Sequence, residues 1–378
     1  MKKILFSLIV LLPCYLSAST ICLNMIVKDE AKVMERCLKS LKPLIDYWVI
    51  VDTGSTDGTQ EVIKEFMKDI PGELHERPWK NFAHNRNEAL TLAKGKGDFL
   101  LFLDADETIE ISPVFDKSNL SYDLYNVHNF QDMGKFTRAF LVRNTGEAKW
   151  IGVLHEALHT PDSFKKALLT SVTMQSYYTD GNRSKNPNKF LEDAKTLEVG
   201  LLEEPDNERY MFYLAQSYSL GREYQKALNM YTRRTQYPGE YGEYCYSLYQ
   251  VGRHQQYLEY PQNKFIQSYS KAYAAAPQRM ECIFEMSEYF KKKNALLAFI
   301  IARFGYKEMK KYNSQSYMTD VHLHQWVYDW AMKVNYAELA QYFGELEVAS
   351  KVYAELISEK KAPEEMLGKL QTLFSPIR

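Results

Sequence analysis

The order of apolar and polar positions divides the chain into two parts. Up to about residue 183, short apolar runs alternate with amphipathic helical segments, and from residue 184 onward the periodicity is helical. Residues 99–103 are five consecutive apolar residues, a run typical of a strand buried on both faces of a parallel sheet. Asp104, Asp106 and Glu107 follow directly. We therefore predict a buried strand that ends in a cluster of carboxylates.

Other strands and helices are predicted to alternate before this strand. The predicted strands cover residues 21–27, 47–51 and 73–76, and the predicted helices cover residues 29–41, 60–66 and 85–93. This alternation is typical of an α/β domain with a mostly parallel sheet, which we assign to residues 20–183. In such sheets, ligands bind in the crevice outside the carboxyl ends of the strands.

The loops expected at this edge of the sheet are acidic or rich in Gly, Ser and Thr. They comprise residues 29–30, 52–59, 77–86 and 104–107. Together these loops suit a nucleotide and a metal ion. Asp104 and Asp106 stand two residues apart with a small Ala between them, so both can reach one hard cation through oxygen ligands. The alternative for this acidic pair alone is a solvated turn that merely ends the strand.

The second part, residues 184–378, is predicted to form an all-α helical-repeat domain. Ala194 and Ala227 are 33 residues apart, as are Pro205 and Pro238, and this spacing is close to the tetratricopeptide period of about 34 residues. Such repeats stack into a solenoid with a concave face. The many tyrosines here suit core packing, and they equally suit a groove for an acceptor molecule.

The amino terminus has the pattern of a secretory signal. Lys2 and Lys3 precede an apolar run at residues 4–12, and Ser19 is a suitable cleavage position, which gives a signal peptide over residues 1–19. The run is shorter than the roughly 20 residues of an ordinary membrane span. We expect export or delivery to the lumen of the secretory pathway. An uncleaved, weak membrane anchor is the alternative, and only that alternative implies membrane contact.

Net charge and cysteine positions exclude some classes of partner. The formal net charge is −1, so no overall field favours nucleic acid, and we expect no nucleic-acid partner. Beyond the signal, the cysteines are spaced neither as a disulfide framework nor as a zinc site. We expect them to be small buried apolar residues: Cys22, Cys37, Cys245 and Cys282.

Several motifs, in order along the chain, resemble those of family 2 glycosyltransferases of the GT-A fold. The motifs are NMIVKDE at 24–30, VDTGSTDGT at 51–59 and FLDADE at 102–107. Trp79, Phe82, residues 86–87 and the segment WIGVLHE at 150–156 match a subgroup of that family. The resemblance covers residues 20–183. It implies transfer of a sugar from a nucleotide-diphosphate sugar to an acceptor, which is an unidentified glycan, lipid or protein.

The resemblance also implies roles for individual residues. Asp52 would bind the nucleotide base, Asp104 would lie near the ribose and the metal, and Asp106 would ligate a divalent ion, Mg²⁺ or Mn²⁺. The full set that it assigns to donor binding is Asn24, Glu30, Asp52, Ser55, Arg86, Asp104 and Arg183.

The chemistry of glycosyl transfer asks for the same residue types. The leaving nucleotide diphosphate gains negative charge, which a metal ion held by carboxylates can stabilise. Arg86 or Arg183 can clamp a phosphate, although Arg86 equally suits an ion pair on a helix surface. Transfer with inversion needs a carboxylate that takes the acceptor's proton, for which we choose Glu156. His155 is then a candidate metal ligand or phosphate contact.

Two other functions compete with this interpretation. Residues 155–159 match H-E-x-x-H, the zinc-protease signature, which requires both histidines on one continuous helix. Gly152 precedes the motif and Pro161 follows it, leaving little helix, and Asp162 stands where metzincins require Gly. We therefore expect His159 to be structural. The other alternative is a non-catalytic helical-repeat binding scaffold carrying a degenerate transferase domain.

Overall fold

A computed structural model of the protein describes residues 18–131, 134–311 and 322–374. The predicted signal peptide therefore lies, except for its last two residues, outside the described residues. The chain divides into two compact units. The first contains Met1–Ile151 and Glu156–Lys185, and the second contains Gly152–His155 and Asn186–Arg378.

The first unit contains an eight-stranded sheet with the strand order β3-β2-β1-β4-β7-β6-β10-β5. Strands β1–β4 are paired in parallel, as are β6 and β10, which confirms the predicted mostly parallel sheet. Strand β7 is antiparallel to both β4 and β6, and β5 is antiparallel to β10. The bounds are β1 Ile21–Val27, β2 Tyr47–Asp52, β3 Gly72–Glu76, β4 Phe99–Leu101, β5 Glu107–Ile111, β6 Leu124–Gln131, β7 Gly134–Arg143 and β10 Lys166–Ser176.

Strands β8 (Lys149–Ile151) and β9 (Ala157–His159) form a separate antiparallel pair. The described residues of the first unit also form three α-helices: α1 Ala31–Leu41, α2 Thr59–Phe66 and α3 Phe82–Leu92. Alternate residues of β1 enter two different apolar clusters, Leu23 one and Cys22 the other. The sheet is thus buried on both faces, which explains why its strands are unbroken apolar runs.

Strand β4 is shorter than predicted, because the ladder ends at Leu101 rather than at residue 103. Phe102 and Leu103 remain buried, and the Phe102 N–H still donates to the carbonyl of Phe140 at 2.9 Å. The chain then turns, since the Glu107 N–H donates to the Asp104 carbonyl at 3.0 Å. This turn places the predicted carboxylate cluster at the carboxyl end of β4.

The second unit is all-helical in the described residues, which confirms the predicted helical-repeat class. Residues Pro205 and Pro238 bracket one helix pair, α5 with α6, at the position of the predicted repeat. The helices are α4 Lys189–Glu203, α5 Glu208–Leu220, α6 Tyr224–Arg234, α7 Tyr241–Tyr257, α8 Gln262–Ala275, α9 Glu281–Lys291, α10 Ala295–Lys311, α11 Met332–Tyr342, α12 Leu346–Glu359 and α13 Glu364–Phe374. Successive helices from α4 to α13 pack against each other.

Two expectations about the whole chain can be checked on the described residues. Cys22, Cys37, Cys245 and Cys282 are all free and buried, as predicted. Among the described helices, none combines the length and the apolar character that a membrane span requires.

Candidate active site

Asp52 is the last residue of β2 and is completely buried. Its Oδ1 accepts hydrogen bonds from the N–H groups of Gly54 at 2.9 Å and Ser55 at 2.8 Å. Its Oδ2 is buried and has no hydrogen-bond partner. Because an unpaired buried acceptor is costly, this oxygen is suited to a donor group on a ligand.

The loop after β2 is fixed to the loop after β1 by short polar contacts. The Asp29 N–H donates to the Ser55 hydroxyl at 2.8 Å, and the Thr56 N–H donates to the Asp29 carboxylate at 2.7 Å. The Glu30 N–H donates to the Thr59 hydroxyl at 2.8 Å. Ser55, one of the predicted donor-binding residues, is thus used to hold the two loops together.

Asp104 is held by two arginines. Arg86 Nη2 is 2.7 Å from Asp104 Oδ1, and Arg138 Nη2 is 3.5 Å from Oδ2. Burial by itself would raise the pKa of Asp104, but the two guanidinium groups outweigh it and lower that pKa well below its usual range. Asp104 is therefore a fixed anion.

The same arginines continue into a chain of buried ion pairs. Arg86 Nε lies 2.6 Å from Glu156 Oε1, and Arg138 Nη1 lies 2.6 Å from Glu107 Oε1. Arg86 therefore makes an ion pair, the alternative kept open from the sequence, although the pair is buried rather than on a helix surface. Its guanidinium, only 8% exposed, bridges Asp104 and Glu156.

Asp106 has a different environment from Asp104. Burial, with the nearby charges of Asp104 and Glu107, raises the pKa of Asp106 to about 6. The backbone at Gly181 lies against it, since a Cβ there would be 2.8 Å from Asp106 Oδ2. Burial likewise raises the pKa of Glu30 to about 7, although its carboxylate accepts the Asn182 N–H at 3.2 Å. The negative charge of Asp106 and Glu30 is therefore only partly compensated by neighbouring groups.

The described residues contain no group of three or more His, Cys, Asp and Glu side chains arranged to hold a metal ion. Mg²⁺ is usually bound by one or two carboxylates, with substrate phosphates and waters completing the shell. Asp106, with Asp104 two residues before it, fits that kind of site. The uncompensated negative charge around Asp106 also favours a cation.

Three other predicted residues have contacts of their own. The His155 ring belongs to the second unit, where it stacks on Tyr213 at a centroid distance of 3.9 Å. Asn24 is buried on β1 and donates to the carbonyl of Ala89 at 2.8 Å, so it ties α3 to the sheet. The Arg183 guanidinium lies 4.6 Å from the centre of the Phe82 ring.

The zinc-protease alternative requires a helix that the structure does not contain. Ala157–His159 is strand β9, and His159 pairs with Lys149 across the antiparallel ladder. In a strand, side chains four residues apart do not meet as they do over one helical turn. The H-E-x-x-H match is therefore accidental.

Two features of the site were missed by the sequence analysis. One is Arg138 on β7, which pairs with both Asp104 and Glu107. The only signal in the sequence was an arginine within an otherwise largely apolar strand. The other is the hydrogen-bond partner of Glu107, the hydroxyl of Ser176 at 2.6 Å, for which the sequence held no signal.

The comparison with protein families decides the class of the first unit. Residues 22–113 match the family model described as Glycosyl transferase family 2. The first unit contains a family 2 glycosyltransferase domain. The match includes Asp52, Arg86, Asp104 and Asp106, whereas Arg138 and Glu156 follow it.

The chain is also similar to known proteins over part of its length. The chain is 25% identical over 221 residues to the glycosyltransferase SunS of Bacillus subtilis, covering 53% of this chain and 50% of SunS. It is 40% identical over 87 residues to a TPR repeat-containing protein of Synechococcus elongatus, covering 23% of this chain and 20% of that protein. The chain thus spans half or less of the length of these relatives.

A solved structure of S. aureus TarS in complex with UDP-GlcNAc is also similar. It covers 62% of this chain and 81% of the TarS chain at 12% identity, with a TM-score of 0.34. Similarity at this level gives no information about the donor or the acceptor of this chain.

Proposed function

We propose that this protein is a metal-dependent, inverting glycosyltransferase that moves a sugar from a nucleotide-diphosphate sugar to an acceptor. The observation that carries the proposal is the contrast between Asp104 and Asp106. Two arginines fix Asp104 as an anion, while burial and like charge leave Asp106 with a raised pKa. A cation bound beside Asp106 would relieve that like charge.

Asp52 supports the donor half of the proposal. Its buried Oδ2 has no partner, so an N–H of a nucleotide base would satisfy it. Asp104, Asp106 and the loop at Asp52 all follow carboxyl ends of parallel strands, where nucleotides bind in open α/β sheets. Glu30 would contribute negative charge close to Asp106, because the charge of Asp106 is one of the causes that raise the pKa of Glu30.

Glu156 is the proposed base for the acceptor hydroxyl or other nucleophile. The ion pair with Arg86 fixes the orientation of its carboxylate and shares one guanidinium with Asp104. The proposed base, Glu156, and the donor-site residue Asp104 are thereby held by the same guanidinium group. A bound Mg²⁺ or Mn²⁺, held by Asp106 with Asp104, would supply positive charge to the leaving diphosphate.

A thermal-shift screen of nucleotide sugars, with and without Mn²⁺, tests the proposal. A ligand that binds only the folded state raises the melting temperature. We expect one nucleotide sugar to stabilise the first unit, more strongly with Mn²⁺, and we expect Asp52→Asn to weaken that effect. If no nucleotide sugar stabilises the protein and none is turned over, the protein is instead a helical-repeat scaffold.

We also propose that residues 1–19 direct the protein out of the cytosol and that the mature chain begins near Thr20. The support is the charged start followed by an apolar run. Mass spectrometry of the native amino terminus tests this. An intact Met1 on a freely soluble cytosolic protein would contradict it.

A further inference from the structure

Trp79 is an exposed tryptophan in the loop that follows β3. In the sheet register, Glu76 at the end of β3 pairs with Asp52, and the next N–H, that of Arg77, donates to the Asp52 carbonyl at 2.9 Å. The loop carrying Trp79 therefore starts beside the proposed nucleotide site. The side chain of Trp79 is 41% exposed, which is a large apolar surface to leave in water.

Asn85 fixes the backbone on both sides of Trp79. The Asn85 side chain is completely buried; its Nδ2 donates to the Pro78 carbonyl at 3.0 Å, and its Oδ1 accepts the Lys80 N–H at 3.0 Å. Asn81 then caps α3 by accepting the His84 N–H at 2.8 Å. A buried amide that binds the backbone of both neighbours of an exposed tryptophan fixes the point from which the indole projects.

Phe82 and Arg183 connect this indole to the acidic cluster. The Phe82 ring meets Trp79 edge-on, with centroids 4.7 Å apart, and Arg183 lies over Phe82 at 4.6 Å. Two residues before Arg183, the backbone of Gly181 lies against Asp106. A continuous chain of contacts through one short segment thus links Trp79 to Asp106, which places the indole on the same edge of the sheet as the proposed site of sugar transfer.

We propose that the exposed face of Trp79 binds a pyranose ring. This inference rests on the proposed function. The face of an aromatic ring carries negative charge, and one face of a pyranose presents a set of polarised C–H groups that pack against it. The bound pyranose is either the sugar of the donor or a sugar of a glycan acceptor. Separate measurements distinguish the two.

Tyr122 provides a matched control for Trp79. It is 43% exposed and also has an edge-on aromatic partner, Tyr125, at 5.8 Å. It lies at the other end of the sheet: its carbonyl accepts from Arg143, and Arg143 pairs with Phe99 at the amino end of β4. Tyr122→Ala therefore removes a comparable exposed aromatic group far from the carboxylates.

The donor source is tested by calorimetric titration with UDP-glucose, UDP-N-acetylglucosamine and GDP-mannose, each compared with its free nucleotide, in the presence of Mn²⁺. If the donor ring is bound, Trp79→Ala lowers the affinity for the nucleotide sugar by about three- to tenfold and leaves the affinity for the free nucleotide unchanged. Trp79→Phe retains most of the affinity, and Tyr122→Ala retains all of it.

The acceptor source is tested by saturation-transfer NMR with methyl β-D-glucopyranoside and methyl α-D-mannopyranoside. Loss of the transfer signal in Trp79→Ala, with donor affinity unchanged, identifies an acceptor ring. Unchanged behaviour of Trp79→Ala in both measurements, or equal losses in Tyr122→Ala, would overturn the inference while leaving glycosyl transfer intact. Absence of nucleotide-sugar binding in the wild-type protein would overturn the proposed function as well.

Discussion

The two units bury charge in different proportions. In the first unit, two arginines pair with three carboxylates, Asp104, Glu107 and Glu156, and the carboxylates of Asp106 and Glu30 add further negative charge nearby. In the second unit, buried acids and arginines occur in comparable numbers. Arg279 pairs with Glu281 at 3.1 Å, and Glu243 lies between Arg209 and Arg234 at 3.2 and 3.6 Å.

If Asp106 binds a metal ion as proposed, the first cluster receives a ligand, whereas the second cluster holds helices together. Glu281 is satisfied within its own unit, since its second oxygen accepts from the Tyr328 hydroxyl at 2.8 Å. Burial raises the pKa of Glu243 in the second unit as it does those of Asp106 and Glu30, but Glu243 has two arginines beside it to offset its charge. An excess of buried carboxylates lowers stability unless a cation joins them.

The largest effect is expected from Asp106→Asn. The variant should lose at least about 100-fold in sugar transfer, because the carboxylate proposed to hold the metal is gone. Its melting temperature should not fall, because a like charge is removed from beside Asp104. Product formation and thermal unfolding measure the two effects. Asp116→Asn, at an exposed turn, serves as control, and full activity of Asp106→Asn or of wild-type protein in EDTA would remove the assigned metal role.

Breaking one ion pair in each cluster sharpens the comparison. Arg138→Gln leaves the buried Glu107 without its arginine partner, and Arg279→Gln does the same to Glu281. Each should lower the free energy of unfolding by about 3 kcal/mol in urea titrations. Mn²⁺ with a bound nucleotide sugar should restore part of the loss in Arg138→Gln alone. Equal rescue of both variants would show that the two clusters do not differ in this way.

A pH-dependent difference is expected from His324 in the second unit. Burial lowers the pKa of His324 to about 4, against an unfolded value near 6.5. The unfolded chain therefore binds the proton first, so this contribution is present above pH 6.5 and is lost as the pH falls toward 4. Unfolding of the second unit should cost about 2 kcal/mol less at pH 5 than at pH 7.

Denaturant titrations at the two pH values, repeated on His324→Gln, check this expectation. The variant should show a smaller difference between pH 5 and pH 7 than the wild-type protein. His159→Gln, at an exposed position in the first unit, should keep the wild-type difference. An unchanged pH dependence in His324→Gln would assign the effect to other groups.

The smallest effect is expected from His159→Ala. This residue pairs in strand β9 and has no role in the charge network, so the variant should keep most of its sugar transfer. Transfer assays and elemental analysis for zinc measure the outcome. Stoichiometric Zn²⁺ in the wild-type protein, lost in the variant together with a peptidase activity, would restore the protease interpretation.

The elements around the nucleotide site are local enough to be predicted from sequence. The apolar runs of β1 and β2 and the polar loops after them are contiguous, so strand ends and candidate ligands such as Asp52 are visible together. Strand order is not local. The antiparallel strand β7 enters between β4 and β6, and nothing in residues 99–107 indicates which strand will lie beside them.

The same distinction explains which parts of the site were missed. Asp104 and Asp106 are adjacent to their strand and were predicted as a pair, but their different electrostatic states depend on Arg86 and Arg138, 18 and 34 residues away. Arg86 suited a phosphate clamp or an ion pair equally well until its partners were known. Long-range pairing decides the charge state of each carboxylate.

The buried cysteines give each unit its own reporter of local opening. Cys22 and Cys37 lie in the first unit, and Cys245 and Cys282 lie in the second. Burial raises the pKa of Cys22 to about 12 and also raises that of Cys37 and Cys282, so the reactive thiolate is scarce in the folded protein. A thiol-labelling reagent therefore reacts with these cysteines only when the unit around them opens. Peptide mapping of the label then gives the opening rate of each unit separately from a single sample.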